Sequence, residues 1–194
     1  MEREEFLERY RHSIAHVLAK AMIELYGEEV QYAIGPQIED GAYYDFLVPK
    51  NLSEEDFPAI ENKMREIIKR REDWTREELS RENALKLFAK QKFKKELIED
   101  LPESEIISVY HTGSDFVDLC RGPHVENSQE LMNVAFQVKS VSGAYWRGDE
   151  HRDQLQRVYL FVYPDKNALK EHLKWLQEAQ ESCLLYTSDA ADDL

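Results

Sequence analysis

His12 and His16 in RHSIAHVLAKA, and Cys120 and His124 in DLCRGPHV, form two i, i+4 pairs more than a hundred residues apart. Imidazole and thiol bind borderline-soft metals and move protons near neutral pH. On a helix, His12 and His16 share one face and can converge on a metal, a phosphate or a water. Gly122-Pro123 forces a turn that can bring Cys120 and His124 to one side. Each pair alone has a plainer reading, two surface histidines or a small buried cysteine beside a solvated histidine, and for the histidine pair alone the plainer one is favoured. His111, His151 and His172 show no such spacing and read as structural or solvated.

Positioning these pairs requires a helix and a distant strand–loop. From about Glu4 to Tyr26, Tyr10, Ile14, Val17, Leu18, Ala21, Met22 and Leu25 recur with helical period as a core stripe. His12 and His16 fall on the opposite side beside Ala15, Ala19 and Ile23, so that face is expected to line a cleft. Gly27 stops the helix. VQYAIGPQIEDGAYYDFLV then reads as strands joined by turns at Gly35-Pro36 and Asp40-Gly41. Ser53 caps a second helix carrying Phe57, Ile60, Met64, Ile67 and Ile68, and Ser80 caps a third with Ala84, Leu87 and Phe88. A short strand near Trp74 lies between these two helices, and a short helical stretch, KFKKELIEDL, follows them. From Glu105 the texture is β (EIISVY, DFVDLC, VAFQVKSVS and QLQRVYLFVY), before a final amphipathic helix from Asp165 to about Gln180. The expected class is α+β, helices packed on a largely antiparallel sheet.

The chain has 194 residues, 42% of them apolar, which suits one domain with a real core. It shows no apolar run of membrane-spanning length and no signal-peptide core, and its two cysteines make a disulfide framework improbable. A reducing, cytoplasmic setting is therefore expected. Its seven glycines form no phosphate-binding loop, which argues against an autonomous nucleotide-using enzyme. The net charge of −14 argues against extensive binding of a nucleic-acid backbone.

RHSIAHVLAKA, AIGPQIEDGAYYDF, DLCRGPHV and SGAYWRGD, in this order and spacing, resemble the editing domain of bacterial threonyl-tRNA synthetases from about Tyr10 to Gln180. Alanyl-type editing domains share the framework but read C-G-G-T-H where this chain has Cys120-Arg121-Gly122-Pro123-His124. The resemblance implies a tRNA-editing domain over residues 1–163 and a linker helix over 164–182 toward a class II catalytic domain that is absent. No class II motif is present, so no threonine activation is expected; ATP and a catalytic zinc belong to that missing part. The chain departs from the family near Tyr159, where Tyr-Gly-Thr-Ala is usual, and lacks the common ubiquitin-like N-terminal domain.

The implied activity is hydrolysis of serine wrongly esterified to threonine tRNA. The implied site residues are His12, His16, Lys94, Asp118, Cys120 and His124, with Lys94 competing with Lys92 and Lys95 for its role. Tyr44 and Arg121 are implied contacts to the terminal adenosine. No metal is expected for editing, although His12, His16, Cys120 and His124 could hold zinc as in the alanyl relatives. The partner would be the 3′ end of tRNA(Thr) carrying serine, with no membrane, and the full-length parent a homodimer. Because only the aminoacylated end need be held, local cations (Lys94, Arg121, Arg147) would answer the charge objection. A free-standing trans-editing deacylase and a non-catalytic metal-binding module are the alternatives. The segment from Cys183 to Leu194, CLLYTSDAADDL, reads as a translated sequencing adapter and is expected to be disordered, the natural protein continuing past Ser182.

Overall fold

The structure, a computed structural model, describes residues 2–189, and the side chains of residues 7–181. Helix α1 (Glu2–Tyr26) ends at Gly27, whose φ of +91° is reached without strain in a residue lacking Cβ. Short strands β1 (Gln31–Tyr32) and β2 (Gln37–Ile38) flank β3 (Gly41–Leu47). Ser53 opens a 3-10 turn by donating its N–H to the Asp56 carboxylate at 2.9 Å, and α2 (Phe57–Lys69) follows. Next come β4 (Trp74–Leu79), α3 (Arg81–Leu87), α4 (Lys92–Asp100), β5 (Ile107–Thr112) and β6 (Phe116–Leu119). The long strands β7 (Ala135–Tyr145) and β8 (Gln154–Tyr163) precede α5 (Lys166–Asp189).

All strand pairings among the described residues are antiparallel, and the class is α+β as expected. The strands divide into two sheets where one was expected. A five-stranded sheet runs β1-β3-β8-β7, with β2 also on β3, and a three-stranded sheet runs β4-β5-β6. The departure near Tyr159 is accommodated in β8, which pairs with β3 on one side and β7 on the other.

The predicted stripe on α1 is buried, and α1 packs on β3 and α2. Its second face differs from expectation. Ala15 and Ala19 are fully enclosed and His16 is only 2% exposed, so most of this face is covered rather than bordering a cleft. The small alanines allow close approach while His16 and Lys20 reach toward the three-stranded sheet. Leu87, expected on the apolar face of α3, is exposed. Helix α5 continues beyond Gln180 to Asp189. The expected change at Cys183 falls on side chains, and at residues 190–194 on backbone, outside the described residues.

Candidate active site

Three elements converge on one cluster. Helix α1 supplies His12 and His16, β6 and the turn after it supply Asp118, Cys120 and His124, and α4 supplies Lys94. The Cys120 sulfur sits between two imidazoles, 3.4 Å from His12 Nε2 and 3.2 Å from His124 Nε2, and receives the Gly122 N–H at 3.2 Å. Gly122 has φ of +77° and precedes a cis peptide bond to Pro123. A Cβ on Gly122 would lie 2.4 Å from the Tyr110 hydroxyl oxygen. The turn therefore needs glycine on both counts.

Ser13, between the two helical histidines, fixes the protonation of His124. Its single hydroxyl proton goes to the Arg9 carbonyl at 2.9 Å, and its oxygen accepts the Val125 N–H at 3.2 Å. The remaining contact, 3.1 Å to His124 Nδ1, then requires that nitrogen to donate. His124 Nε2 is left with its lone pair toward Cys120. Ser13→Ala is expected to cost about 1–3 kcal/mol by stranding buried donors. Urea unfolding of the variant checks this, and an unchanged midpoint would contradict the assignment.

Asp118 is the second hub. Its Oδ1 pairs with Lys94 Nζ at 2.5 Å, and its Oδ2 accepts the Tyr44 hydroxyl at 2.5 Å and lies 3.4 Å from His16 Nε2. Lys94 also donates to the Ala33 carbonyl at 2.6 Å and to the Tyr44 oxygen at 3.0 Å. Asp118, Lys94 and His16 are all nearly inaccessible. Tyr44 is equally enclosed and approaches Gly35 closely enough that a Cβ there would sit 2.0 Å from its ring. Its hydroxyl belongs to the Asp118–Lys94 network, where the sequence pointed to an adenosine contact. Arg121 is on the surface, its side chain 75% exposed, paired with Glu105. Beside it a cleft of about 190 Å³ is walled by Leu97, Leu101, Ile106, Leu119 and Cys120. Arg147, the third implied local cation, pairs with Glu96 and Asp100 away from the imidazoles.

Burial governs the electrostatics. Desolvation pulls His12 and His124 below the usual histidine range, and the imidazoles add mutual repulsion at His124. Asp118 and the Pro123 carbonyl partly offset the effect at His12. His16 is pulled down furthest by burial, with His12 and Lys94 adding to it. At neutral pH the imidazoles are therefore neutral and carry lone pairs. His16 Nδ1 is buried with no hydrogen-bond partner among the described residues. Burial and the Asp118 charge push the Cys120 thiol up to about 12, so it is protonated rather than a thiolate nucleophile.

The same four donors could hold a metal. Their ligand atoms lie within 4.8 Å of one another. Tetrahedral zinc with bonds of about 2.0–2.3 Å needs ligand atoms roughly 3.3–3.8 Å apart. The donor types suit such an ion if the set draws in by about 1 Å, and when bound it would act as a Lewis acid toward a carbonyl or water.

Sequence reasoning did not identify Ser13, Lys20 or the aromatic wall. Trp74 stacks on His16 with ring centroids 5.9 Å apart, Phe116 meets His16 edge-on, and Tyr110 meets His124 edge-on. The one available signal was Lys20, which extends the i, i+4 row of His12 and His16 by a further step. The other expected bystanders lie apart: His111 pairs with Glu77, His151 is exposed, and His172 stacks on Tyr163.

Residues 107–159 match the family described as the threonyl and alanyl tRNA synthetase second additional domain. The chain is 50% identical over 177 residues to the threonine–tRNA ligase of Nitrosococcus oceani, covering 90% of the chain and 27% of that protein. It is 46% identical over 173 residues to that of Dehalococcoides mccartyi, covering 89% and 29% respectively. Against that of Aquifex aeolicus it is 46% identical over 181 residues, covering 91% and 28%. The chain thus spans less than a third of the length of these relatives. No helix among the described residues is long and apolar enough to cross a membrane. By this likeness the chain is a domain of the editing type found in aminoacyl-tRNA synthetases, with residues 107–159 matching the threonyl and alanyl tRNA synthetase second additional domain.

Proposed function

We propose that this domain hydrolyses the ester of serine mischarged on threonine tRNA, as the proofreading part of a cytoplasmic threonine–tRNA ligase whose synthetic domain lies outside the chain. The observation that carries the reading is His16, a buried neutral imidazole facing Asp118 with its Nδ1 unpartnered, beside Cys120 and two further imidazoles. Hydrolysis of an activated ester needs a positioned water, a base to take its proton and positive charge for the developing oxyanion. His16 or His12 accepts the water proton as the water oxygen attacks the carbonyl carbon; the proton then leaves with the ribose oxygen when the ester bond breaks. Lys94 donates to Ala33 and Tyr44 and is ion-paired with Asp118, so it acts as a fixed positive charge behind the site. The protonated thiol and His124, held by Ser13, narrow the pocket.

The physical need for such a site is clear. Serine differs from threonine by one methyl group, and a hydrophobic pocket gains only about 1–3 kcal/mol from a group of that size. A synthetic site that accepts threonine therefore admits serine, and a second pocket too tight for the methyl removes the error. The substrate is the 3′ end of the tRNA alone, which suits a domain of net charge −14 whose Arg121 stands at the rim. We read the site as metal-free, the whole ligase as a homodimer, and residues beyond about 164 as the link to its catalytic part.

Incubation with Ser-tRNA(Thr) and Thr-tRNA(Thr) tests the proposal. Serine is expected to be released faster, and His16→Ala to slow that release by about 100- to 10,000-fold. Equal release of both amino acids, or an unaffected variant, would defeat it. Stoichiometric zinc in the purified protein, lost on changing His12 or Cys120, would favour the metal-binding alternative.

A further inference from the structure

Lys20 is a buried charge that the hydrolysis above leaves unused. It follows His16 by four residues, as His16 follows His12, so the three form a row along α1 with a rise of about 6 Å between successive members. Its side chain is 2% exposed. Nζ lies 2.7 Å from Glu72 Oε2, 2.6 Å from Asp115 Oδ1 and 3.1 Å from the Thr112 carbonyl oxygen. Thr112 ends β5, Asp115 immediately precedes β6, and Glu72 stands just before β4. All three segments of the small sheet thus meet α1 at one nitrogen atom.

Desolvating an ammonium costs several kcal/mol, which its acceptors only offset, so an apolar side chain would serve packing as well. What the ammonium adds is direction. Asp118 and Cys120 follow Asp115 by three and five residues on the same hairpin, and they must meet His16 and His12 on the same helix. We propose that Lys20 is a positioning residue that sets the register of the β5–β6 hairpin against the histidine helix. It thereby fixes the distances from Asp118 and Cys120 to the imidazoles, and touches no substrate. Only the kinetic readout of this proposal rests on the hydrolase reading.

The test uses the whole chain with Cys183→Ser, leaving Cys120 as its one thiol. Lys20→Met is combined with Glu72→Gln so that no buried carboxylate loses its partner. The expected result is a cooperatively folded protein whose Cys120 reacts with iodoacetamide about fivefold faster or more, as a loosened turn exposes it. Its kcat for Ser-tRNA hydrolysis should fall about 10- to 100-fold with KM within about twofold, the signature of misplaced groups rather than lost binding. Lys20→Arg, which keeps the charge and donors, should recover part of both. Unchanged alkylation and kcat in the folded double variant would overturn the proposal. If that variant does not fold, Asp115→Asn, at a half-exposed position, must shift both readouts in the same direction, and no shift would equally overturn it. A parent chain that fails to hydrolyse Ser-tRNA would refute the hydrolase reading alone, since thiol accessibility still decides the role of Lys20.

Discussion

Lys94→Met is expected to destabilise the fold by about 3–5 kcal/mol and to suppress serine release by at least about 100-fold. The stability loss arises because Asp118 would lose its cationic partner inside the protein, with only the Tyr44 hydroxyl and the neutral His16 left nearby. The Ala33 carbonyl and the Tyr44 oxygen would lose their donor as well. On the proposed mechanism, the loss of rate follows from removing the fixed positive charge behind the site. The double variant Lys94→Met/Asp118→Asn separates the two effects. Its buried site carries no ion, so most of the stability should return while hydrolysis stays low. Urea midpoints and initial rates on the three proteins decide the matter. A single variant as stable as the parent would mean the pair is not desolvated, and restored hydrolysis in the double variant would remove Lys94 and Asp118 from the mechanism.

The second large effect concerns acid. His16 and His124 are held neutral in the folded state, with affinities for protons well below those of unfolded histidine, whose pKa is about 6.5. Below that pH the unfolded chain binds protons at these two residues that the native chain does not, and His12, also lowered by burial, adds to the difference. Stability contributed by the neutral pair is present above about pH 6.5 and drains as pH falls, at up to about 2.7 kcal/mol per pH unit. Urea unfolding at pH 7.5, 6.5 and 5.5, with chelator present, measures the slope. Replacing both histidines with asparagine should reduce the slope, and a parent curve already flat over this range would contradict their burial as neutral groups. The same depression keeps the imidazoles competent as bases through neutral pH, so the acid limb of the hydrolysis profile is expected below pH 6.5.

Much of this organisation was legible in the chain because it is local. The α1 core stripe, the Gly27 stop, the turn at Gly122-Pro123 and the two i, i+4 pairs follow from helical period and backbone freedom, which need no distant partner. The choice of Lys94 over Lys92 and Lys95 was not local. On α4, Lys94 shares the buried side with Phe93 and Ile98, while Lys92 pairs with Asp153 at a half-exposed position. Only the meeting of α4 with β6 singles out one lysine.

Tyr44 shows the limit from the other side. Its sequence neighbourhood suggested a ligand contact, and packing placed its ring beneath Gly35 with its hydroxyl on Asp118. Ser13 was silent and Lys20 carried only its place four residues after His16, since a serine or lysine on a helix is ordinarily solvated, and their partners lie 111 and 52 to 95 residues away.

The sequence by itself determined which residue types face one another along each element, and through its motifs the editing-type domains they resemble. Only the tertiary structure decided the chemical state of the site: which imidazole nitrogen carries the proton, which lysine is buried against a carboxylate, and that the thiol remains protonated. Those states depend on desolvation and on charges brought together from α1, α4 and β6, and neither exists until the chain has folded.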